Sequence, residues 1–330
     1  MMSKPNPYKV LEVDPKASLD VIHAAHRALC VKYKDDEPHL KLVNISYDLV
    51  KDEDSRAEFD DHHSIHKGKV IGDYRIIAQI AEGGFGTTYK AEHRITGCPV
   101  CIKHALHVSA SDETILLEEA KACWDLRHWG IPAMRDILRM PDNSLALVMS
   151  YVPGPTLSQL REAKEYKYGV EPEHVAWITE RILNILKYLH FHGVVHGDVK
   201  PANVIVQPDS HTVTLVDYGL SAVRPGSKDT AKGYTPYFAS PEQQAGKTLL
   251  PETDLFGLGM TMIFALGGDV EYVKVPSTTP DAMCGFIKKL IKREVLSRPN
   301  WSKEDLCETI QQVRMEDFGR SMSGMKPLKV

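Results

Sequence analysis

The pattern of apolar residues changes twice along the chain, and these two changes restrict the fold more than any other feature. Residues 5–61 follow a helical spacing, the stretch from Asp73 is rich in β-forming residues around a glycine-dense turn, and long amphipathic patterns dominate beyond residue 153. The sequence therefore predicts an α+β protein in which a helical hairpin precedes a small β-rich part and a larger helical part. A cleft between the last two parts is the expected place for a ligand.

The front region is predicted to contain two helices and a short third turn. Ser18 is the expected N-cap of the first helix, the charged segment 34–39 (KDDEPH) separates the two helices, and segment 54–63 (DSRAEFDDHH) adds the third turn. The apolar residues that define the two helix faces are Ile22, Ala25, Leu29, Tyr33, Val43, Tyr47 and Val50. A hairpin of about fifty residues buries little surface by itself, so we expect it to dock onto the rest of the chain.

Composition and charge limit the partners and the location. The 330 residues are 43% hydrophobic and 25% charged, and the net charge of −4, without a block of lysine and arginine, argues against nucleic-acid binding. The first residues lack the apolar core of a secretion signal. The longest uncharged apolar run, residues 255–268, is too short to cross a bilayer and predicts a buried core helix. We therefore expect a cytoplasmic protein with no membrane span and no nucleic-acid partner.

Two sequence features suggest a metal or redox site, and both have a simpler interpretation. Cys98 and Cys101 form a CxxC motif, but no second such motif follows, and thiols three residues apart on a strand point to opposite faces. The second candidate tract consists of His62, His63 and His66. It lies among glycine, lysine and serine residues, so we expect residues 62–72 to be a solvated linker.

A glycine-dense turn and two charged residues form the first candidate for phosphate chemistry. In residues 80–89 (IAEGGFGTTY), missing side chains let backbone N–H groups approach phosphate oxygens. Lys103 ends the strand-like segment VCIK and is suited to pair with phosphates, and Glu119 on the next helical segment is the candidate acid that holds it. Taken alone, the turn is equally compatible with a plain hairpin, and each charged residue with a surface position.

A denser polar cluster lies in residues 196–203 (HGDVKPAN). Asp198 is suited to accept or orient a hydroxyl proton, Lys200 to neutralise charge on a transferred group, and Asn203 to offer an amide oxygen to Mg²⁺. Asp217, in the segment TLVDYGLS, is expected at the end of a strand, ahead of a glycine that permits a sharp turn, and would be the second metal ligand. Together with a phosphate cradle, these groups supply what phosphoryl transfer requires.

These motifs follow one another in a familiar order, and the region from Asp73 to Arg314 resembles the protein kinase domain, specifically the eukaryotic-like Ser/Thr kinases of bacteria. VCIK resembles V-A-I-K, HGDVKPAN resembles H-R-D-x-K-x-x-N, DYG resembles D-F-G, and TPYFASPEQ resembles the end of the activation loop. The resemblance implies a two-lobed kinase fold with an N-lobe over residues 73–152, a C-lobe over 153–316 and a C-terminal tail over 317–330. It also implies transfer of the γ-phosphoryl group of ATP, with Mg²⁺, to serine and threonine hydroxyls of protein substrates.

The resemblance also implies a role for individual residues. The residues that it assigns to catalysis are Asp198 and Lys200, and its Mg²⁺ ligands are Asn203 and Asp217. The residues that it assigns to ATP binding are Ile80, Ala81, Gly83, Gly84, Gly86, Thr88, Cys101, Lys103, Glu119, Met149 and Val152. Glu242 is expected to pair with Arg298, and Asp254 to brace the catalytic loop. Thr235 is expected to contact the catalytic aspartate and lysine.

Several positions depart from the family pattern. Ala81 replaces the first loop glycine, Tyr218 replaces phenylalanine of D-F-G, and Ser240 replaces alanine of A-P-E. The short stretch between Asp269 and the TTPDAM segment leaves little room for the substrate-docking helix of the family, so that helix is expected to be short or missing. The protein substrate is therefore not identified by the sequence.

The most informative departure is Gly197, which stands where many relatives carry an arginine that pairs with a phosphate on the activation loop. The other two positions of that basic pocket correspond to Ile115 and Ala222, and neither carries a charge. A phosphate at Ser227 or Thr230 would find no prepared cation. We therefore expect control by the front region, a partner or expression, and not by phosphorylation of this loop.

The front region, residues 5–61, resembles a J-domain in the segments NPYKVLEVDPKAS and VNISYDLVKDEDSRAEFD. In that family a His-Pro-Asp tripeptide stimulates the ATPase of a DnaK-type chaperone. The aligned residues here are Lys34, Asp35 and Asp36. The resemblance implies a chaperone or docking partner for residues 5–61, and the missing His-Pro predicts that ATPase stimulation is lost.

These motifs leave three hypotheses for the function. An active serine/threonine kinase is favoured over a pseudokinase or adaptor scaffold, because none of the residues whose loss marks a pseudokinase is missing. Those residues are Lys103, Asp198, Asn203 and Asp217. A J-type chaperone adaptor is the third hypothesis, and the absent His-Pro argues against it.

Overall fold

The computed structural model describes residues 7–14, 17–63, 67–83, 86–104, 110–140, 144–320 and 328–329. Contacts between Cα atoms divide the chain into two compact units. The first unit consists of Met1–Leu116 and Arg135–Ser150, and the second of Leu117–Met134 and Tyr151–Val330.

The described residues contain both helices and strands. The helices are α1 (Pro7–Val10), α2 (Leu19–Lys32), α3 (Glu37–Asp48), α4 (Glu53–His63), α5 (Ala110–Cys123), α6 (Leu157–Glu162), α7 (Pro172–Phe191), α8 (Pro241–Gln244), α9 (Pro251–Ala265), α10 (Asp281–Leu290) and α11 (Leu306–Phe318). The strands are β1 (Val70–Ile71), β2 (Tyr74–Gly83), β3 (Gly86–His93), β4 (Pro99–His104), β5 (Met134–Arg139), β6 (Leu145–Ser150), β7 (Val194–Val195), β8 (Val204–Gln207), β9 (Thr212–Leu215) and β10 (Ala222–Val223).

The front helices α1 to α4 enclose a small apolar core of their own. Its buried members are Tyr8, Leu11, Ile22, Leu29, Val43, Val50 and Phe59. Ser18 stands at the N-cap of α2 as predicted, although its side chain makes no capping hydrogen bond. The predicted break over residues 34–39 is too long, because the carboxylate of Asp36 accepts from the backbone N–H of His39 and α3 begins at Glu37.

Helix α4 is a second correction, since a short turn was predicted and an eleven-residue helix is found. Contacts with distant residues hold it in place. The hydroxyl of Tyr8 donates to Asp60 at 2.7 Å, and Arg56 donates to the same hydroxyl at 3.2 Å and to the carbonyl oxygen of Ala17 at 2.8 Å. Burial and the neighbouring carboxylate raise the pKa of Tyr8 to about 12.

The first unit also contains a six-stranded sheet in the order β1-β2-β3-β4-β6-β5. The neighbouring pairs from β1 through β4 to β6 are antiparallel. β1 falls within the predicted linker over residues 62–72, which therefore ends before Val70. Within that linker, residue 66 and the side chains of His62 and His63 lie outside the described residues. Cys98 precedes β4 and Cys101 lies within it, and neither of these two cysteines forms a disulfide bond.

The second unit is built around α7 and α9, whose side chains are mostly buried. α9 confirms the prediction of a buried helix for the apolar run, and it ends at Ala265. Residues 266–280 are all described and contain no helix, in line with a missing substrate-docking helix. Among the helices of the described residues, none combines the length and the apolar character needed to cross a membrane.

Residues after α11 contact earlier residues of the second unit. Arg320 forms a bidentate pair with Glu173, with distances of 2.7 and 2.8 Å, and Leu328 is buried in the core of the unit. The backbone of Lys329 exchanges hydrogen bonds with the hydroxyl of Tyr166 at 2.9 Å. The segment predicted as a tail is thus attached at two described points, and residues 321–327 and 330 lie outside the described residues.

Candidate active site

A buried carboxylate on α9 binds backbone N–H groups of the loop of residues 196–203. Asp254, which is 1% exposed, accepts from the backbone N–H of His196 at 2.8 Å and from that of Gly197 at 2.7 Å. Its second support is His190 on α7, whose Nε2 lies 2.7 Å from the Asp254 carboxylate while its Nδ1 accepts from Trp301 at 2.8 Å. The bracing role expected of Asp254 thus has a direct geometric counterpart.

Asp198 is the centre of a hydrogen-bonded cluster. One carboxylate oxygen accepts from the hydroxyl of Thr235 at 2.6 Å, and the other lies 2.9 Å from the amide nitrogen of Asn203 and 2.7 Å from the ammonium of Lys200. Lys200 also donates to the hydroxyl of Thr235 at 2.9 Å. With 7% of its surface exposed, Asp198 is therefore fixed by three side chains before any substrate is considered.

Gly197 adopts a backbone conformation that favours glycine. Its φ is +74°, and a Cβ at this position would lie 2.7 Å from the carbonyl oxygen of Leu220 and 2.9 Å from a methyl group of Leu249. Its own carbonyl oxygen accepts from the side-chain amide of Gln243 at 2.7 Å, and the same amide donates to the carbonyl oxygen of Gly233 at 3.1 Å. A neutral side chain therefore joins the loop to the segment that carries Thr235.

The turn at residues 217–219 differs from its prediction. Asp217 follows the end of β9 by two residues, and it is Asp217 itself, with φ of +67°, and not Gly219, that takes the left-handed conformation. Tyr218 is buried, and burial raises the pKa of its hydroxyl well above the usual value. The backbone N–H of Tyr218 donates to the carboxylate of Glu119 at 3.3 Å, which places the buried Glu119 against this turn.

His196 links the two loops. Its Nδ1 accepts from the backbone N–H of Asp198 at 3.2 Å, so the proton of the neutral ring is on Nε2, which donates to the carbonyl oxygen of Val216 at 3.2 Å. The ring also packs edge-on against Tyr218 with centroids 4.7 Å apart. The positions of Asp198 and Asp217 are therefore coupled through a buried histidine.

Glu242 and Arg298 form the ion pair that the sequence suggests. The guanidinium donates to both carboxylate oxygens, at 2.6 and 2.9 Å, and neither side chain is more than 9% exposed. Burial works to raise the pKa of Glu242, but the hydrogen bonds from Arg298 hold it below its usual value. The remaining guanidinium protons bind the carbonyl oxygens of Lys292, Arg293 and Glu252.

The strand register places five of the eleven residues assigned to ATP binding on one face of the sheet. Thr88 pairs with Ala81 on one side and with Lys103 on the other, and Cys101 pairs with Met149. Cross-strand partners share a face, as do residues two apart on a strand, so these five side chains lie on the same side. Ile80 lies within β2 and Gly83 ends it, Gly86 begins β3 with φ of 139°, Val152 follows β6, and Gly84 lies outside the described residues.

Residues 74–313 match the family model described as the protein kinase domain. The chain belongs to this family. The matched residues contribute helices and strands to both units, while the front helices α1 to α4 of the first unit lie outside the match.

Curated relatives are serine/threonine-protein kinases of bacteria and eukaryotes. The chain is 29% identical over 241 residues to serine/threonine-protein kinase pkn3 of Myxococcus xanthus, covering 69% of this chain and 42% of that protein. It is 30% identical over 219 residues to serine/threonine-protein kinase D of a Synechocystis strain, covering 60% and 41%. For the probable serine/threonine-protein kinase PknB of Lactococcus lactis the identity is 30% over 217 residues, covering 63% and 34%. The chain thus spans less than half the length of each of these relatives.

Sequence reasoning missed three residues that shape the site. Gln243 bridges Gly197 and Gly233, His190 supports Asp254, and Lys232 forms an ion pair with Glu118. Each contact joins elements that are far apart in sequence, and none of these residue types signals such a contact by its spacing. The one signal in the sequence is that Gln243 directly follows Glu242 in the motif TPYFASPEQ.

Proposed function

We propose that this chain is an active serine/threonine protein kinase that transfers the γ-phosphoryl group of ATP to hydroxyl groups of protein substrates. The single observation that carries the proposal is the cluster of Asp198, Lys200, Asn203 and Thr235, in which each of the other three side chains contacts the Asp198 carboxylate. A pseudokinase has no need to preserve such an arrangement. The names of the bacterial relatives support the same activity.

Asp198 is the group proposed to receive the acceptor. The hydroxyl of a substrate serine or threonine donates to the Asp198 carboxylate, which Thr235 and Asn203 hold in position. Its proton passes to that carboxylate as the hydroxyl oxygen bonds to the γ-phosphorus of ATP and the bond from this phosphorus to ADP breaks. Lys200 lies beside the same carboxylate and stabilises negative charge on the transferred group. Catalysis by these residues is mainly a matter of positioning and electrostatics.

The proposed Mg²⁺ ligands have suitable donor atoms. The amide nitrogen of Asn203 is engaged with the carbonyl and carboxylate oxygens of Asp198, both at 2.9 Å, so the amide oxygen is directed away from Asp198. Asp217 adds a half-buried carboxylate. Carboxylate and amide oxygens are the ligands that Mg²⁺ prefers. When bound, Mg·ATP supplies the phosphoryl group, and its Mg²⁺ ion supplies the positive charge that holds the phosphates.

The proposed ATP-binding residues include a phosphate cradle and a lysine. β2 ends at Gly83 and β3 begins at Gly86, and these two glycines pair with each other; we assign the phosphate cradle to this glycine-rich hairpin. Lys103 is buried on β4 of the first unit, and Glu119 is buried on α5 within the second. We assign both residues to ATP binding, with Lys103 as the contact to the phosphates.

For the front helices we propose a J-domain-like docking module without chaperone stimulation. A short helix followed by α2, α3 and α4 around a separate apolar core supports this proposal, as do the segments quoted for the resemblance. Asp36 of the altered tripeptide is used to cap α3 and to bind His39. A cytoplasmic location stays a prediction from sequence.

The test is incubation of the purified full chain with labelled ATP, Mg²⁺ and generic serine, threonine and tyrosine acceptors, followed by mapping of the phosphorylated sites. We expect label on serine and threonine and a dependence on Mg²⁺. The matched control is Asp198→Asn, which keeps the size of the side chain and removes its charge. Label that persists at the wild-type rate in this variant would contradict the role assigned to Asp198, and absence of label in the wild type would favour the adaptor hypothesis.

A further inference from the structure

A lysine of the activation segment, which we define as residues 217–242, forms an ion pair with helix α5. The ammonium of Lys232 lies 2.5 Å from the carboxylate of Glu118 and donates to the carbonyl oxygen of Ser221 at 2.8 Å. Both residues belong to the second compact unit. The lysine therefore ties the middle of the segment to its own beginning and to the helix that carries Glu119.

The sign of this contact is opposite to that of a phosphate-dependent segment, in which an anion on the segment meets cations outside it. Here the cation lies on the segment, and the three positions that would form a phosphate-binding pocket are Ile115, Gly197 and Ala222. The anion is the carboxylate of Glu118, which is present without any modification. An ordering contact is thus encoded directly in the sequence.

Backbone hydrogen bonds hold the tip of the segment before Lys232. The carboxylate of Asp229 accepts from the N–H of Gly226 at 2.6 Å, and the hydroxyl of Thr248 donates to the carbonyl oxygen of Asp229 at 2.6 Å. The N–H of Ala231 donates to the carbonyl oxygen of Lys247 at 3.2 Å. The chain therefore reaches Lys232 from a fixed turn, which lowers the entropy lost when the lysine forms its pair.

The segment after Lys232 leads directly into the candidate catalytic cluster. The next residue, Gly233, accepts from Gln243, and Thr235 donates to Asp198 at 2.6 Å. On the other side of the pair, the residue next to Glu118 is Glu119, which accepts from the N–H of Tyr218. Lys232 and Glu118 are thus close in sequence to Thr235, which contacts Asp198, and to Glu119, which contacts Tyr218. A displacement of Lys232 therefore affects both contacts.

We infer that Lys232 and Glu118 are positioning residues that hold the activation segment in its working arrangement without phosphorylation. The inference rests on the proposed kinase function, because it concerns the regulation of the same site. The side chains are 29% and 43% exposed, so the pair is only partly shielded and its contribution is modest. We expect loss of either charge to lower kcat by roughly three- to tenfold, with a smaller effect on the KM for ATP.

The experiment is a double-mutant cycle on the full chain after phosphatase treatment. Lys232→Gln, Glu118→Gln and the double variant are assayed for kcat and KM on an acceptor peptide. Hydrogen exchange of residues 221–235 is followed without nucleotide. Lys232→Arg keeps the charge and is expected to keep both the rate and the protection. Lys228→Ala removes a charge from an exposed lysine of the same segment that has no ion pair within the described residues, and it is the matched control.

Two results support the inference together: the double variant loses no more activity than either single variant, and all three exchange faster than wild type over residues 221–235. Losses that multiply in the double variant, or single variants with wild-type rates and exchange, overturn it. A loss of equal size in Lys228→Ala also overturns it. If the wild type phosphorylates no acceptor, the proposed function fails, and the exchange measurements still decide whether the pair orders the segment.

Discussion

The hydroxyl of Thr235 donates to the carboxylate of Asp198 at 2.6 Å, so a residue of the activation segment already contacts the group proposed to receive the acceptor proton. Lys200 touches both residues and closes a three-membered cluster. Any movement of the segment therefore changes the surroundings of Asp198 directly. We therefore propose that regulation and chemistry share one set of hydrogen bonds in this protein.

The first prediction separates the roles of Asp198 and Asp217. Asp198→Asn and Asp217→Asn are each expected to lower autophosphorylation on the order of 10²-fold or more. Asn tolerates the left-handed conformation found at position 217, so loss of the carboxylate is the main change there. Asp217→Asn should also weaken Mg·ATP binding, measured by calorimetry, and Asp198→Asn should leave it nearly intact. Asp209→Asn, at an exposed turn, is the control, and wild-type turnover in either active-site variant contradicts the assignment.

The second prediction concerns phosphorylation of the activation segment. The double variant Ser227→Ala/Thr230→Ala, assayed on a peptide after phosphatase treatment, is expected to retain activity within about tenfold, or 1.4 kcal/mol in the barrier. The reason is that no charged residue stands at positions 115, 197 and 222. Thr235 must stay unchanged in this experiment, because it binds Asp198 and Lys200 directly. A larger loss would show that a phosphate on Ser227 or Thr230 is required.

The third prediction concerns the front helices. At micromolar concentration the full chain is expected to leave a DnaK-type chaperone ATPase at its basal rate, because Lys34 and Asp35 replace the His-Pro of the active tripeptide. The companion variant is Lys34→His/Asp35→Pro, which restores the tripeptide next to the Asp36 cap of α3. Stimulation by this variant alone would show that the docking surface persists. Robust stimulation by the unaltered chain would contradict the prediction.

The fourth prediction concerns Cys101, whose cross-strand partner is Met149 and which shares its face of the sheet with Lys103. If this face binds the nucleotide, saturating Mg·ATP should slow the reaction of Cys101 with a thiol reagent. Cys98 is exposed and lies outside β4, so it is an internal control whose labelling should not change. Peptide mass spectrometry after timed labelling gives both rates. Equal labelling of Cys101 with and without nucleotide would leave it as a small buried apolar residue.

The fifth prediction is a pH dependence of stability that originates in Glu242. Its pKa in the folded chain lies below its usual value of 4.5, so the stabilisation is present at neutral pH and is lost as the pH falls through the lowered folded value. Glu242→Gln is expected to cost about 3 kcal/mol at pH 7, because the buried Arg298 loses its charged partner. The variant should then lose less of its remaining stability on acidification than the wild type. Urea unfolding at several pH values measures this difference, and Glu271→Gln is an exposed control. Parallel pH profiles of Glu242→Gln and wild type would contradict the assignment.

Much of the site was predictable because the motif residues determine their own neighbours. Thr235, Asp198 and Lys200 were expected to meet, and Arg298 was expected to pair with Glu242, since these residues occupy motif positions of the family. Other elements depend on contacts that no local pattern encodes. α4 is rich in charge and has few apolar residues, so its stability depends on Tyr8, which is far away in the sequence. Lys232 and Glu118 each have the sequence signature of an ordinary surface charge, and only the folded chain brings them together.

The left-handed backbone at Gly197 also limits how this protein can evolve. An arginine at that position would bring its Cβ to 2.7 Å from the carbonyl oxygen of Leu220 and would crowd Leu249. The strained backbone adds about 1–3 kcal/mol. A cation at position 197 therefore becomes acceptable only after changes in the residues around it, and those changes bring no advantage until the arginine is present. A descendant that acquires a new phosphorylation site in the segment is thus more readily selected when the added charge acts on Lys232 and Glu118 than when it requires an arginine at position 197.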